Sequence, residues 1–88
     1  MKVSQDFILR EIAGEFMLIP VGTVASKFNG LITLNETSAV LFKALYKDVS
    51  LDDLVTAITS EYDIDQDTVR ADIEEFLQQL KQIGALVE

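Results

Sequence analysis

The spacing of hydrophobic and polar positions changes period along the chain. Residues 7–13 (FILREIA) and 16–20 (FMLIP) are dense in strand-forming aliphatic and aromatic side chains. Between them, Gly14-Glu15 fits a two-residue hairpin turn, with glycine at the position that needs positive φ. The two faces of the first strand would be Phe7, Leu9, Glu11 and Ala13 against Ile8, Arg10 and Ile12. Neither face is cleanly polar, which predicts a ribbon covered in part on both sides. Residues 21–29 read as a loop, with Gly22 early and the turn-forming pair Asn29-Gly30 at its end. A short third strand follows at Leu31, Ile32, Thr33 and Leu34, expected to complete an antiparallel sheet and to leave a free edge.

From Asn35 the period becomes helical, with Ala39, Val40, Phe42, Leu45 and Tyr46 recurring at helical spacing. Asn35 suits the N-cap, because its side-chain oxygen can accept from a free amide one turn on. Glu36 then sits at the positive end of the helix dipole. After Lys47-Asp48-Val49, the run Ser50-Leu51-Asp52-Asp53 fits a capping box, flanked by Val49 and Leu54 as a hydrophobic staple. That second helix is expected to reach about Tyr62, with Leu51, Leu54, Val55, Ile58 and Tyr62 facing inward. Asp65 caps a third helix, and Ile64 with Val69 repeats the staple. Its apolar stripe is Val69, Ile73, Phe76, Leu77, Leu80 and Ile83, and Gly84 serves as its stop. Residues 1–6 form a polar lead expected to fray. The apolar tail Ala85-Leu86-Val87 is expected to dock on the body. The pattern predicts an α+β fold: a winged helix-turn-helix-like single domain over residues 1–88, with a three-stranded antiparallel sheet followed by three helices.

Composition narrows what such a domain can do. A chain of 88 residues buries roughly two thirds of the surface its unfolded form exposes, and 49% hydrophobic content is ordinary for a globular domain. There is no cysteine, so disulfides and thiolate metal sites are excluded. There is no histidine, which removes the commonest general base and metal ligand. No signal pattern opens the chain and no apolar run is long enough to span a bilayer, so the expected location is the cytoplasm. With 7 basic against 15 acidic residues and a net charge of −8, neither nucleic acid nor an anionic membrane is a suitable partner.

Three constellations invite a functional reading. Residues 63–74 (DIDQDTVRADIE) place aspartates and a terminal glutamate as an EF-hand calcium loop does, but Thr68 stands where that loop needs glycine. The same residues make a capped amphipathic helix, and no metal site is assigned. The third helix would be the groove-reading helix of a DNA binder, yet it exposes Asp67, Asp72, Glu74 and Glu75 against Arg70 and Lys81. The carboxylates belong to helix caps and solvated faces, so no catalytic residue and no cofactor is assigned. Peptide binding is what remains: an extended peptide can add to the free edge of a sheet. Leu77 projects between Arg70 and Lys81, the only basic residues of its helix, and such a leucine would meet apolar and acidic peptide side chains. The alternative on the same residues is that Leu77 is core and the two cations are solvated.

Several stretches, taken in order, resemble the PqqD family: the hairpin around Ala13-Gly14-Glu15 with Pro20, LNETSA from Leu34, SLDDLV from Ser50, and YDIDQDTVRADIEEFLQQLKQIGALV from Tyr62. The resemblance covers nearly the whole chain. It implies a non-catalytic, winged-helix-like chaperone that holds the leader of a ribosomally made precursor peptide. The leader is presented to a modifying enzyme, typically a radical S-adenosylmethionine enzyme, for pyrroloquinoline quinone or a related product. It further implies a leader added beside Leu31, Ile32, Thr33 and Leu34 and lying against Arg70, Ile73, Leu77 and Lys81. Thr37-Ser38 departs from the family pattern, where smaller or more apolar residues are usual. The runner-up is an acidic winged-helix transcription regulator or adaptor.

Overall fold

The computed structural model describes residues 1–22, 25 and 32–87. Strands β2 (Phe7–Ile12), β3 (Glu15–Pro20) and β4 (Ile32–Leu34) form an antiparallel three-stranded sheet in that order. Three helices follow: α1 (Glu36–Ala44), α2 (Leu51–Thr59) and α3 (Gln66–Gln82). The expected α+β architecture is the one observed. Of the expected third strand, Leu31 lies outside the described residues.

The hairpin register differs from the sequence reading by one residue. Ile12 pairs with Glu15, so the turn residues are Ala13 and Gly14, at φ 53° and 81°. Both central positions of this tight turn need positive φ, the arrangement that matches the twist of the flanking strands. Gly14 adopts it freely, whereas Ala13 places its Cβ in the disfavoured left-handed region. The sequence offers one glycine where the turn needs two permissive residues, and hence the one-residue slip.

This register sets the faces. Phe7, Leu9, Phe16 and Leu18 share the inner side with Ile32 and Leu34, through the pairs Leu9↔Leu18, Leu18↔Ile32 and Phe16↔Leu34. Phe7 and Leu18 are fully buried there, in one core cluster with Phe42 and Leu45. The opposite face carries Ile8, Met17 and Ile19 half-buried and Ile12 exposed, the partly covered ribbon that the mixed pattern predicts.

Each helix starts on the cap its sequence provides. The Asn35 carboxamide oxygen accepts from the Ser38 amide at 2.7 Å. At α2 the capping box is complete: the Ser50 amide donates to Asp53 Oδ2 at 2.9 Å, and the Asp53 amide donates to Ser50 Oγ at 3.1 Å. The Asp65 carboxylate accepts from the amides of Asp67 and Thr68, so this aspartate of the calcium-like pattern serves as a helix cap. Gly84, at φ 76°, ends α3. There the Ala85 amide reaches back to the Leu80 carbonyl and the Gly84 amide to that of Lys81, the paired bonds of a Schellman stop. Two expected boundaries move. Helix α2 ends at Thr59 rather than near Tyr62, and Tyr46 lies beyond α1 and is exposed while Leu41 is buried in its stead.

The ends of the chain depart most from expectation. The lead does not fray: β1 (Lys2–Val3) pairs with β5 (Leu86–Val87), as Lys2↔Val87 and Val3↔Leu86. The Val3 amide donates to the Leu45 carbonyl at 2.9 Å, the Ser4 amide to Ala85 at 2.8 Å, and the Val49 amide to Met1 at 2.9 Å. A two-residue strand has no readable period, and its partner lies at the far end of the sequence. The apolar tail docks as expected, with Ala85 fully buried.

Two tests follow from the local chemistry. Ala13→Asn keeps the turn and relieves the left-handed strain, so it should stabilise the fold by about 0.5–1 kcal/mol. That would raise the thermal midpoint by roughly 2–8 °C, and an unchanged or lower midpoint counts against the turn assigned here. The Asp53 carboxyl is held below the usual carboxylate range, first by the Ser50 amide and then by its hydroxyl. A depressed carboxyl contributes stability above its ordinary pKa and loses it as pH falls through the lowered value. The midpoint gap between wild type and Asp53→Asn should therefore narrow on acidification, and a gap constant down to strongly acid pH would remove Asp53 as its source.

Candidate functional site

The sheet ends at β4, which pairs with β3 on one side only among the described residues. Alternate residues of such an edge strand direct their N–H and C=O outward, where they can template another strand. Ile32 is half-buried, Thr33 is exposed and Leu34 is buried in the core. Leu34 leads directly into Asn35, whose cap bond fixes the start of α1. The strand edge and the helix start are thus one rigid corner.

That corner opens onto a cleft of about 370 Å³ between α1 and α3. Asn35, Thr37, Ser38 and Leu41 form its α1 wall. Asp72, Ile73, Glu75, Phe76 and Gln79 form its α3 wall, with Ile58 beneath and Ile64 and Val69 toward the start of α3. The floor is apolar, since Leu41, Ile58, Val69, Ile73 and Phe76 are all buried core residues. The rim is polar and acidic. A second hollow, of about 470 Å³, lies on the other side of Asn35, between the hairpin tip and the end of β4. Glu11, Glu15 and Glu36 stand around it, with Phe16, Thr33 and Leu34 among its lining. Beside it the Lys43 ammonium sits 5.4 Å from the Phe16 ring centroid. Near the cleft, the Tyr62 hydroxyl donates to Glu36 Oε1 at 3.2 Å, which ties the α2–α3 turn to the first turn of α1. Loss of hydration and the Glu36 charge both raise the Tyr62 pKa.

The residues singled out on α3 fall into two groups. Ile73 lines the cleft, but as part of its floor, almost wholly buried. Arg70, Leu77 and Lys81 are not among the lining residues. Leu77 is buried in the core cluster. The Arg70 guanidinium donates to Asp52 Oδ1 on α2 at 2.7 Å, and this bond with the carboxylate charge holds its proton more firmly still. The geometric reason is helical phase. Positions 70, 77 and 81 share one side of α3, whereas 69, 72, 76 and 79 follow the stripe that turns toward α1. The sequence reading did not single out Asp72, Glu75, Phe76 or Gln79 as site residues. On the other wall the sequence pattern marks Asn35 as a cap and Thr37 and Ser38 as departures from the family pattern. Those two departures lie on the cleft wall, and that was the available signal.

Comparison with known proteins places this architecture. Residues 8–86 match the family described as coenzyme PQQ synthesis protein D (PqqD). The chain belongs to the PqqD family. Two solved structures share the PqqD fold seen here. One is TbiB1 in complex with the TbiA(beta) leader peptide, at 24% identity and a TM-score of 0.77, covering 100% of this chain and 98% of that one. The other is lasso peptide synthetase B1 complexed with the leader peptide, at 20% identity and a TM-score of 0.78, covering 99% and 96%. No curated protein matches the chain. Among the described residues of this PqqD-family chain, no helix is long and apolar enough to cross a membrane.

The site makes contrasting demands on stability. Phe76 belongs both to the cleft wall and to the core, so Phe76→Ala should cost about 3–5 kcal/mol. Arg70→Ala, which removes a solvent-exposed pair, should leave the denaturation midpoint nearly unchanged. Denaturant titration of the two variants checks the difference, and equal losses would contradict the burial described.

Proposed function

We propose that this PqqD-family protein binds the leader segment of a ribosomally made precursor peptide and presents it to a modifying enzyme, a radical S-adenosylmethionine enzyme being the type expected. The observation that carries the reading is the edge of β4, open among the described residues, running through Asn35 into an apolar-floored cleft. It is supported by the likeness in fold to two proteins that hold leader peptides. In this reading the leader adds as a strand beside Ile32, Thr33 and Leu34, and its side chains enter the cleft against the Ile73–Phe76 turn of α3. Each net backbone hydrogen bond contributes roughly 0.5–1.5 kcal/mol, so a few of them with one or two apolar anchors give reversible affinity. That suits a domain that must release its peptide to an enzyme.

The reading is non-catalytic. A chain without histidine or cysteine lacks the usual proton-transfer and nucleophilic groups, and backbone pairing needs neither. It also places the protein in the cytoplasm, where precursor peptides are made, as one domain acting beside its enzyme. A DNA-reading regulator is disfavoured, because Asp67, Asp72, Glu74 and Glu75 are exposed on the helix that would enter the groove.

An amide-shift titration with the cognate leader tests the reading. Shifts should cluster on Ile32, Thr33 and Leu34 and on the cleft walls, and leave the Asp52–Asp53 end of α2 unchanged. Ser38→Phe, which fills the mouth of the cleft, should reduce affinity by about tenfold or more without lowering the thermal midpoint. Shifts confined to α2, or full affinity in the Ser38→Phe protein, would place the peptide elsewhere.

A further inference from the structure

The charge around the site says what kind of peptide it takes. The cleft rim bears Asp72 and Glu75, both exposed on α3. The adjoining hollow bears Glu11, Glu15 and Glu36. Among the described residues that line either space, none is basic. The two ion pairs among the described residues, Met1 amine–Asp48 and Arg70–Asp52, use none of these five carboxylates. Lys43 lies over the Phe16 ring and is not itself a lining residue.

Features that would welcome an acidic peptide are already occupied. Arg70, the cation best placed by sequence to meet one, is bonded to Asp52 on α2. The positive end of the α1 dipole adjoins both spaces, but Asn35 caps it and Glu36 stands in its first turn. An acidic leader would bring its carboxylates against five others on a chain of net charge −8. A cationic one meets complementary charge at every rim position named, and such complementarity sets both selectivity and encounter rate.

We infer that the peptide segment lying over the cleft and hollow is cationic, with lysine or arginine beside an apolar anchor that reaches the Ile73–Phe76 floor. This deepens the leader-binding reading and rests on it. The apolar anchor supplies most of the affinity, and the rim carboxylates choose the sequence around it.

Adjacent residues provide the test. Glu75 lines the cleft and Glu74 does not, while both are exposed and their replacement by lysine changes the net charge equally. The intact chain is panned against a phage-displayed library of random peptides, and enriched peptides are then titrated against wild type, Glu75→Lys and Glu74→Lys. Enriched sequences should carry lysine or arginine near a large apolar residue. Glu75→Lys should weaken their binding about fivefold and Glu74→Lys less than about twofold, the scale of single exposed charge pairs. Binding should also weaken as sodium chloride is raised. Enriched peptides that are acidic or indifferent in charge, or equal effects of the two variants, would overturn the cationic inference and leave peptide binding standing. No enrichment at all would overturn the peptide-binding reading and the inference with it. Unchanged thermal midpoints in both variants exclude a folding defect as the source of any loss.

Discussion

The junction between β4 and α1 is the constraint on which the rest depends. Leu34 is buried against the core and the next residue, Asn35, caps the helix, so no linker separates strand from helix. The strand cannot slide without withdrawing Leu34, and the helix cannot shift without losing its cap. A one-residue slip would also exchange Leu34 for the exposed Thr33 on the inner face. The β4 edge of the sheet and the α1 wall of the cleft therefore hold a fixed relation. In the proposed reading, a peptide paired with the edge would enter the cleft at a set register, which would add side-chain selectivity to general backbone pairing.

The opposite wall is held from further away. Helix α3 packs on α2 through its buried stripe, and its far end is fixed by the Schellman stop at Gly84 and by β5 against β1. The amide of Val3 reaches the carbonyl of Leu45 at the C-terminal end of α1. The small terminal sheet thereby links both cleft-forming helices at the end away from the site. Short strands with few hydrogen bonds are weak alone, but here they join elements that are already buried. The brace ties the two helices together at that end.

The exposed polar side chains of the helices have two distinct uses, and position along the helix separates them. Asn35, Ser50, Asp53 and Asp65 direct their polar atoms back at their own helices, satisfying amides that would otherwise lack partners. Asp72 and Glu75 have no such local duty and face the cleft mouth. Carboxylates of the first kind are determined by helix starts. Those of the second kind shape a field over an apolar floor, which the backbone of an incoming strand cannot do.

Local chemistry was legible from the residues alone. The alternation of strand formers, the Asn35 and Asp65 caps, the reciprocal Ser50–Asp53 box and the Gly84 stop each involve neighbours within one turn, so their geometry follows from adjacent residues. The sheet-then-helices order followed from these, and the family from the resemblance of the ordered stretches. The tertiary structure alone decided the pairing of residues 2–3 with 86–87, because two-residue strands carry no period and their partners are distant in sequence. It alone decided that the turn falls on Ala13-Gly14, since the twist of the paired strands demands positive φ at both positions. It alone decided which side of α3 meets the cleft. The apolar stripe from Val69 to Ile83 is wide enough to satisfy two packing directions. Only the positions of α1 and α2 make Leu77 core, tie Arg70 to Asp52, and leave Asp72, Glu75 and Gln79 at the edge of the site.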